Sequence, residues 1–221
     1  MVKPRTFKLI YFEVQWRCEP IRILFHYFGQ EFEDMRITND EWAQMKPDAP
    51  FEQLPLLEID GGKKTLSESL SIMRYLSKTL GQDGFIGKTK TDSAKVDMFA
   101  YACNDLYIPI YFLQQAKKGI EAIVNMEGAK IQFDLSAQRF LRSIEKQLKS
   151  HRQKYLVQYI TWADIIVMYM IYMLEQQDEQ MVSAEEYPLT IQYYKRIREL
   201  DQIKDYVAEQ LPSAILKTDE S

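Results

Sequence analysis

The chain has 221 residues, enough for one large domain or two small ones with a sizeable core. Hydrophobic residues make up 46% and charged residues 27%, an ordinary balance for a globular protein. The net charge of -4, with acids and bases interspersed, excludes non-specific nucleic-acid binding, which needs a basic stripe.

Glycine and proline are scarce, with 8 of each, which favours a helix-rich fold with short loops. Cys18 and Cys103 are too few for a disulfide framework and read as reduced, partly buried thiols. His26 and His151 read as structural or surface residues, and no Cys/His cluster has metal-ligand spacing. The basic start Met1–Thr6 leads into no apolar signal core. The longest apolar run, Ile165 to Leu174, falls far short of the roughly 20 residues that span a bilayer. The expected location is therefore the cytoplasm, away from membranes.

Residues 7–12 read as a strand. Glu19-Pro20 opens a helix, with proline in the first turn where its missing N–H costs nothing. Ile21, Leu24, Phe25 and Phe28 give it an apolar stripe, and Gly29 ends it. Glu31 to Ile37 reads as a second strand, and Asp40 to Lys46 as irregular or a brief helix stopped by Pro47. Leu56–Ile59, a turn at Gly61-Gly62, and Lys63–Leu66 form a hairpin. A helix follows from about Ser69 to Leu80, capped by Gly81. The order β-α-β-α-β-β-α implies one mixed sheet with helices on its faces.

After a polar linker at 83–91, strand signals nearly vanish. Helical patterns run over about 92–117, 129–151, 162–177 and 188–210, with Gly119–Gly128 as an exposed connection. Leu141, Ile144 and Leu148 mark a buried stripe. Thr161 and Asp164 are spaced as an N-cap and its reciprocal partner, with Ile160 and Ile165 as a hydrophobic staple, so Asp164 is read as structural. The chain thus divides into an α/β domain at 1–82 and an all-helical domain at 92–221.

The stretch 51–76 carries the functional signal. A proline directly before a strand, here Pro55, can be cis and leaves the preceding backbone free to face a ligand. Ser69 at a helix start offers a hydroxyl and unpaired N–H groups to an anion. Together they suit an extended small peptide with a carboxylate, and glutathione is the leading candidate.

Six segments in this order resemble the cytosolic glutathione transferases over nearly the whole length, most closely the sigma class. They are Leu9–Phe12, Arg17–Arg22, Trp42 with Lys46-Pro47, Pro50–Gly61, Glu68–Leu76 and Thr161–Asp164. The resemblance implies a thioredoxin-like domain joined to a helical one. It implies no cofactor, only glutathione as co-substrate, whose thiolate is held by the Tyr11 hydroxyl with Arg17 adding positive potential. A free thiol ionises near pH 8.5, so a donor aimed at the sulfur lowers that value. Trp42 and Lys46 match residues at the glycine end of glutathione, and Gln53, Leu54 and Pro55 the segment that pairs with its cysteinyl backbone. Ser69 and Glu68 match contacts to the γ-glutamyl carboxylate and ammonium. Asp105 matches an acid that reaches this ammonium across a homodimer interface. Phe12, Val14, Trp16, Tyr111 and Phe112 are candidates for a hydrophobic electrophile pocket.

Three positions depart from the family pattern. Trp16 stands where an Arg-Gly-Arg run has glycine, Glu52 replaces a glycine before the Pro55 segment, and Val157 replaces a glycine ahead of Thr161. The leading expectation is conjugation of glutathione to hydrophobic electrophiles. The alternatives are a glutathione-dependent prostaglandin isomerase or peroxidase, and a non-catalytic carrier or structural protein of the same fold.

Overall fold

A computed structural model describes residues 5–81, 84–119, 125–151 and 154–215. The readings of Met1–Pro4, Gln82, Asp83, the centre of the Gly119–Gly128 connection, the His151 side chain and the tail Lys217–Ser221 lie outside the described residues. The chain folds as two compact units, Met1–Asp83 and Gly84–Ser221.

The first unit is built on a four-stranded sheet in the order β2-β1-β3-β4, formed by β1 (Phe7–Phe12), β2 (Glu33–Ile37), β3 (Leu56–Ile59) and β4 (Lys64–Ser67). β1 runs parallel to β2 and antiparallel to β3, and β3 is antiparallel to β4. Side chains alternate along β1, so Phe7, Leu9 and Tyr11 share one face and Ile10 and Phe12 the other. On the first face Phe7 packs its ring 5.6 Å from Phe25 of α1 (Glu19–Tyr27), and α1 packs beside α3 (Ser69–Leu80). On the second face Ile10, Ile37 and Leu56 form a small core, closed by Phe12, Met35, Trp42, Met45 and Leu54. That core holds α2 (Asn39–Met45) to the sheet, although no residue of α2 is buried.

The stretch around 40–46 is thus a true helix, started by a capping box: the Glu41 N–H donates to Thr38 Oγ1 at 3.3 Å and the Thr38 N–H to Glu41 Oε2 at 2.7 Å. Pro47 falls in the 3-10 turn after it. β2 starts at Glu33 rather than Glu31, because pairing with β1 begins at Lys8 opposite Glu33. Gly81 does cap α3, but in extended backbone (φ -73) rather than the left-handed form.

The second unit is helical: α4 (Lys90–Lys117), α5 (Met126–His151), α6 (Trp162–Gln177), α7 (Pro188–Arg198) and α8 (Lys204–Gln210). α6 is buried on every side from Trp162 to Glu175, which explains its unbroken apolar run. Among the described residues no helix is long and apolar enough to cross a membrane. The expected single helix over 188–210 is two. The chain turns at Leu200, whose carbonyl accepts from both Ile203 and Lys204 N–H at 2.9 Å. No glycine or proline marks that turn, and buried Ile197, Ile203 and Val207 keep the apolar pattern running through it.

Asp164 closes the start of α6 and also ties the preceding loop. Its Oδ2 accepts from the Thr161 N–H (2.7 Å) and hydroxyl (2.8 Å), and its Oδ1 from the Leu156 N–H (3.0 Å) and the Tyr193 hydroxyl (3.1 Å). Burial pushes its carboxyl up to about 6, against the lowering effect of those donors. The folded state therefore binds the proton more tightly than the unfolded state. This group's contribution to stability falls as pH climbs from about 4 to about 6. Asp164→Asn sets an NH2 against the Thr161 donors, so we expect a loss of about 2 kcal/mol in urea unfolding. The gap between wild type and variant should narrow from pH 4 to pH 7; a constant gap would remove the assignment.

Candidate functional site

The register of the sheet gathers the candidate residues at one end. Ile10 pairs with Leu56 and Leu56 with Ser67. One residue further along, Tyr11, Pro55 and Glu68 fall in a single row across β1, the start of β3 and the end of β4. β2 stops at Ile37, opposite Phe12, so Thr38 and α2 leave the sheet at this same end.

Tyr11 is buried, with 5% of its surface exposed. Burial pushes its hydroxyl up to about 12, with a smaller push from Cys18 and opposing pulls from Arg17 and Arg22. At neutral pH it keeps its proton and can act only as a donor, not as a phenolate base. Its oxygen already accepts the backbone N–H of Arg17. Arg17 lies in the 3-10 turn Trp16–Cys18, where the Cys18 and Glu19 N–H groups both go to the Gln15 carbonyl at 3.1 Å. The Arg17 side chain is half-buried, and its charge favours ionisation nearby. Cys18 is completely buried, and burial pushes its thiol well up, so the chain's own sulfur is inert here.

The Leu54–Pro55 peptide is cis. Pairing of β3 begins only at Leu56, so the Leu54 backbone stands outside the ladder. Pro55 is buried, Leu54 half-buried and Gln53 exposed. Phe12, Trp42 and Leu54 all pack against the small core on the second face. Lys46 is exposed, with its Nζ 4.0 Å from Glu52 Oε2. Glu68 precedes α3 in an unusual conformation (φ 67, ψ 110), and its side chain does not cap the helix. Ser69, the first helical residue, is buried while Glu68 is exposed. A non-glycine residue held there is the kind of local strain that binding sites retain.

Val14 is exposed and Trp16 half-buried, both in the segment after β1. Asp105, Tyr111 and Phe112 belong to α4 in the second unit, where Asp105 and Tyr111 are exposed and the rings of Tyr111 and Phe112 meet edge to face at 5.7 Å. Asp105 also lines a groove of about 390 Å³ between α4 and α5, with Met98, Phe99, Arg139, Phe140 and Ile144.

Arg22, visible in the sequence only as the end of the Arg17–Arg22 motif, joins three elements. It is 1% exposed, yet its Nη1 donates to Glu19 Oε2 and the Val14 carbonyl (both 3.0 Å) and its Nε to Asp34 (3.1 Å). A charged pair at i, i+3 inside an otherwise apolar helix, Glu19 with Arg22, was the available signal.

Family models described as the glutathione S-transferase N-terminal and C-terminal domains match residues 7–78 and 113–210. Glutathione S-transferase 1 of Ascaris suum is 32% identical over 205 residues, covering 92% of this chain and 96% of the relative. The solved glutathione S-transferase from Ascaris lumbricoides matches with a TM-score of 0.80 at 30% identity, over 95% of this chain and 99% of that one. Monomeric Na-GST-3 from the hookworm Necator americanus matches with a TM-score of 0.81 at 28% identity, over 93% and 97%.

Two of the departures from the family pattern carry left-handed backbone: Trp16 at φ 37 and Glu52 at φ 51. Left-handed backbone costs an ordinary side chain about 1–2 kcal/mol. Glu52→Gly should raise stability by about 1 kcal/mol in thermal unfolding, whereas Glu52→Ala, with the same backbone penalty, should not. Equal melting temperatures for the two variants would show that the strain is not felt.

Proposed function

The chain belongs to the glutathione S-transferase family and is a glutathione transferase, and from that premise we propose that it adds the glutathione thiolate to hydrophobic electrophiles. The observation that carries the reading is Tyr11: a buried phenol that keeps its proton and whose oxygen is engaged by the Arg17 N–H. A hydroxyl has one proton and two lone pairs, so this arrangement leaves the proton to be given elsewhere. We assign that proton to the glutathione sulfur. The donor favours thiolate over thiol, and the thiolate then attacks an electrophilic carbon, expelling a leaving group such as chloride.

The remaining roles follow the row at the sheet end. The Leu54 backbone pairs with the cysteinyl unit, and Ser69 with the first turn of α3 receives the γ-glutamyl carboxylate. Glu68 takes the ammonium, while Trp42 and Lys46 hold the glycine end. Glu52 competes for Lys46, and because both side chains are exposed the competition is weak. We propose Phe12, Val14 and Trp16 of the first unit as contacts of the hydrophobic electrophile, the sigma class from the motif resemblance, and detoxification in the cytoplasm as the setting. We also propose a homodimer that brings Asp105 to the partner's ammonium site. Its support is an exposed apolar stripe on α4, Met98, Tyr101 and Ile108, beside exposed Ile131 and Leu135 on α5. The fold alone does not dictate that assembly, since Na-GST-3 is described as monomeric.

Two experiments test this reading. Tyr11→Phe should raise the thiol pKa of bound glutathione, followed by thiolate absorbance, and cut turnover of an aryl chloride by 10-fold or more at neutral pH, about 1.4 kcal/mol of transition-state stabilisation. Equal turnover with unchanged glutathione affinity would remove Tyr11 from the chemistry. Sedimentation should show a dimer for the wild type and a monomer for Ile108→Glu. A monomeric wild type would overturn the proposed role of Asp105.

A further inference from the structure

The backbone N–H that engages Tyr11 comes from an irregular turn, and such a turn needs something to hold it. Within it the Val14 N–H donates to the Phe12 carbonyl at 2.7 Å, and the Cys18 and Glu19 N–H groups to the Gln15 carbonyl. Trp16 stands at φ 37, a conformation the turn imposes on a bulky residue. The outer limb of the turn, at the Val14 carbonyl, is fixed by one side chain. Arg22 reaches it with Nη1 at 3.0 Å while the same nitrogen meets Glu19 Oε2 at 3.0 Å. On its other edge Nε meets both oxygens of Asp34 on β2, at 3.1 and 3.2 Å. Arg36 in turn holds Asp34 Oδ2 at 3.0 Å. The planar guanidinium thus ties β2, the start of α1 and the turn after β1 to one rigid group, which no point charge can do.

We propose that Arg22 is a positioning residue for the thiolate chemistry: by clamping the Val14 carbonyl to Glu19 and Asp34, it fixes the 14–18 turn so that the Arg17 N–H stays on the Tyr11 oxygen and the Tyr11 proton faces the ligand sulfur. The inference rests on the assignment of Tyr11 above and adds the group that aims it. Desolvation is the reason such a role needs geometry to explain it. A buried ion cluster stabilises a fold little more than apolar side chains of the same volume would. What an apolar residue cannot do is hold a carbonyl of an irregular segment in place. The charged or titratable groups acting on Tyr11 are Arg17, Cys18 and Arg22, with Glu19, Asp34 and Arg36 behind them.

The test is Arg22→Lys, which keeps the charge against Glu19 and Asp34 and loses the fork. Tyrosine labelled with carbon-13 at Cζ reports the hydrogen bonding of Tyr11, its resonance identified by its absence in Tyr11→Phe. In Arg22→Lys that resonance should shift or split, with or without glutathione. The thiol pKa of bound glutathione should rise by about one unit, so that kcat/KM falls roughly tenfold below that pKa and converges with the wild type at high pH, with KM for glutathione changed less than twofold. A merely structural role would lower the rate equally at every pH and leave the thiol pKa alone. That outcome, or an unmoved Tyr11 resonance, would overturn the proposal. If Arg22→Lys is recovered unfolded, Asp34→Asn, which loosens the guanidinium from a half-exposed partner, should give the same shifts on a smaller scale, and their absence there counts equally against it. A wild type that binds glutathione without ionising it would defeat the Tyr11 assignment instead, and the carbon-13 comparison would still decide the role of Arg22.

Discussion

A phenol has one proton to give, and the proposed chemistry depends on where the amino-terminal unit directs the proton of Tyr11. Burial keeps it on the oxygen at neutral pH, and the Arg17 N–H occupies one side of that oxygen. The amide is in place because β1 ends in register with β2 and β3, and because α1 begins within a few residues of that end. A shift of one residue in the β1–β3 register would turn Tyr11 to the Trp42 face and break the row it forms with Pro55 and Glu68. The nucleophile has to be brought in. Cys18 and Cys103 are both fully buried with thiols pushed well up, which fits the proposal that the protein contributes a donor and the ligand the sulfur.

Regular elements could be read in the sequence because periodicity records burial. The stripe Ile21, Leu24, Phe25 marks the inner face of α1, and Leu141, Ile144, Leu148 that of α5; all six are buried. The Thr161–Asp164 spacing gave the start of α6 to the residue, since a cap is a local chemical pattern. The division of 188–210 into α7 and α8 left no trace, because its turn closes through the Leu200 carbonyl with no glycine or proline and buried Ile203 continues the stripe. At the site, the residue types at Tyr11, Leu54-Pro55 and Glu68-Ser69 were visible and the row joining them was not, since it depends on strand register. Arg22 was quoted only as part of a motif. Its significance lies in the three elements it joins, β2, α1 and the turn between β1 and α1, and no one-dimensional pattern records that.

Backbone strain in the first unit is concentrated near this same end. The left-handed non-glycine residues are Trp16, Phe51, Glu52, Asp60 and Glu68. Asp60 sits in the hairpin turn, where an Asp tolerates that conformation. Trp16, Phe51, Glu52 and Glu68 lie instead in the segments that lead into or out of the stretches holding Tyr11, Pro55 and Ser69. Two of them, Trp16 and Glu52, stand where the family resemblance calls for glycine, the residue best suited to left-handed backbone. Trp16 also replaces the most flexible residue with one of the stiffest, which restricts the turn that carries the Arg17 amide. Left-handed strain and a buried clamp act on the same few residues, and both reduce the freedom of that amide.

Buried charge elsewhere in the chain follows the same logic as Arg22. Glu175, in the last turn of the most apolar helix, accepts from the Ala214 N–H at 2.6 Å, the Ile215 N–H at 3.1 Å and the Ser213 hydroxyl at 2.8 Å. Asp164 accepts from the backbone of Leu156 and Thr161. Arg22 donates to the carbonyl of Val14. In each case the charged side chain sits on a regular helix and its backbone partners sit in a segment without one. Helices and strands satisfy their own N–H and C=O groups, so apolar packing is enough to hold them. An irregular segment drawn against the core has no such internal supply, and an ionised group that binds its backbone strongly offsets the cost of its own desolvation. Among these three clamps only Arg22 touches the segment next to the reacting hydroxyl. Asp164 and Glu175 tie loops of the helical unit, whereas Arg22 ties the segment that leads from β1 to α1.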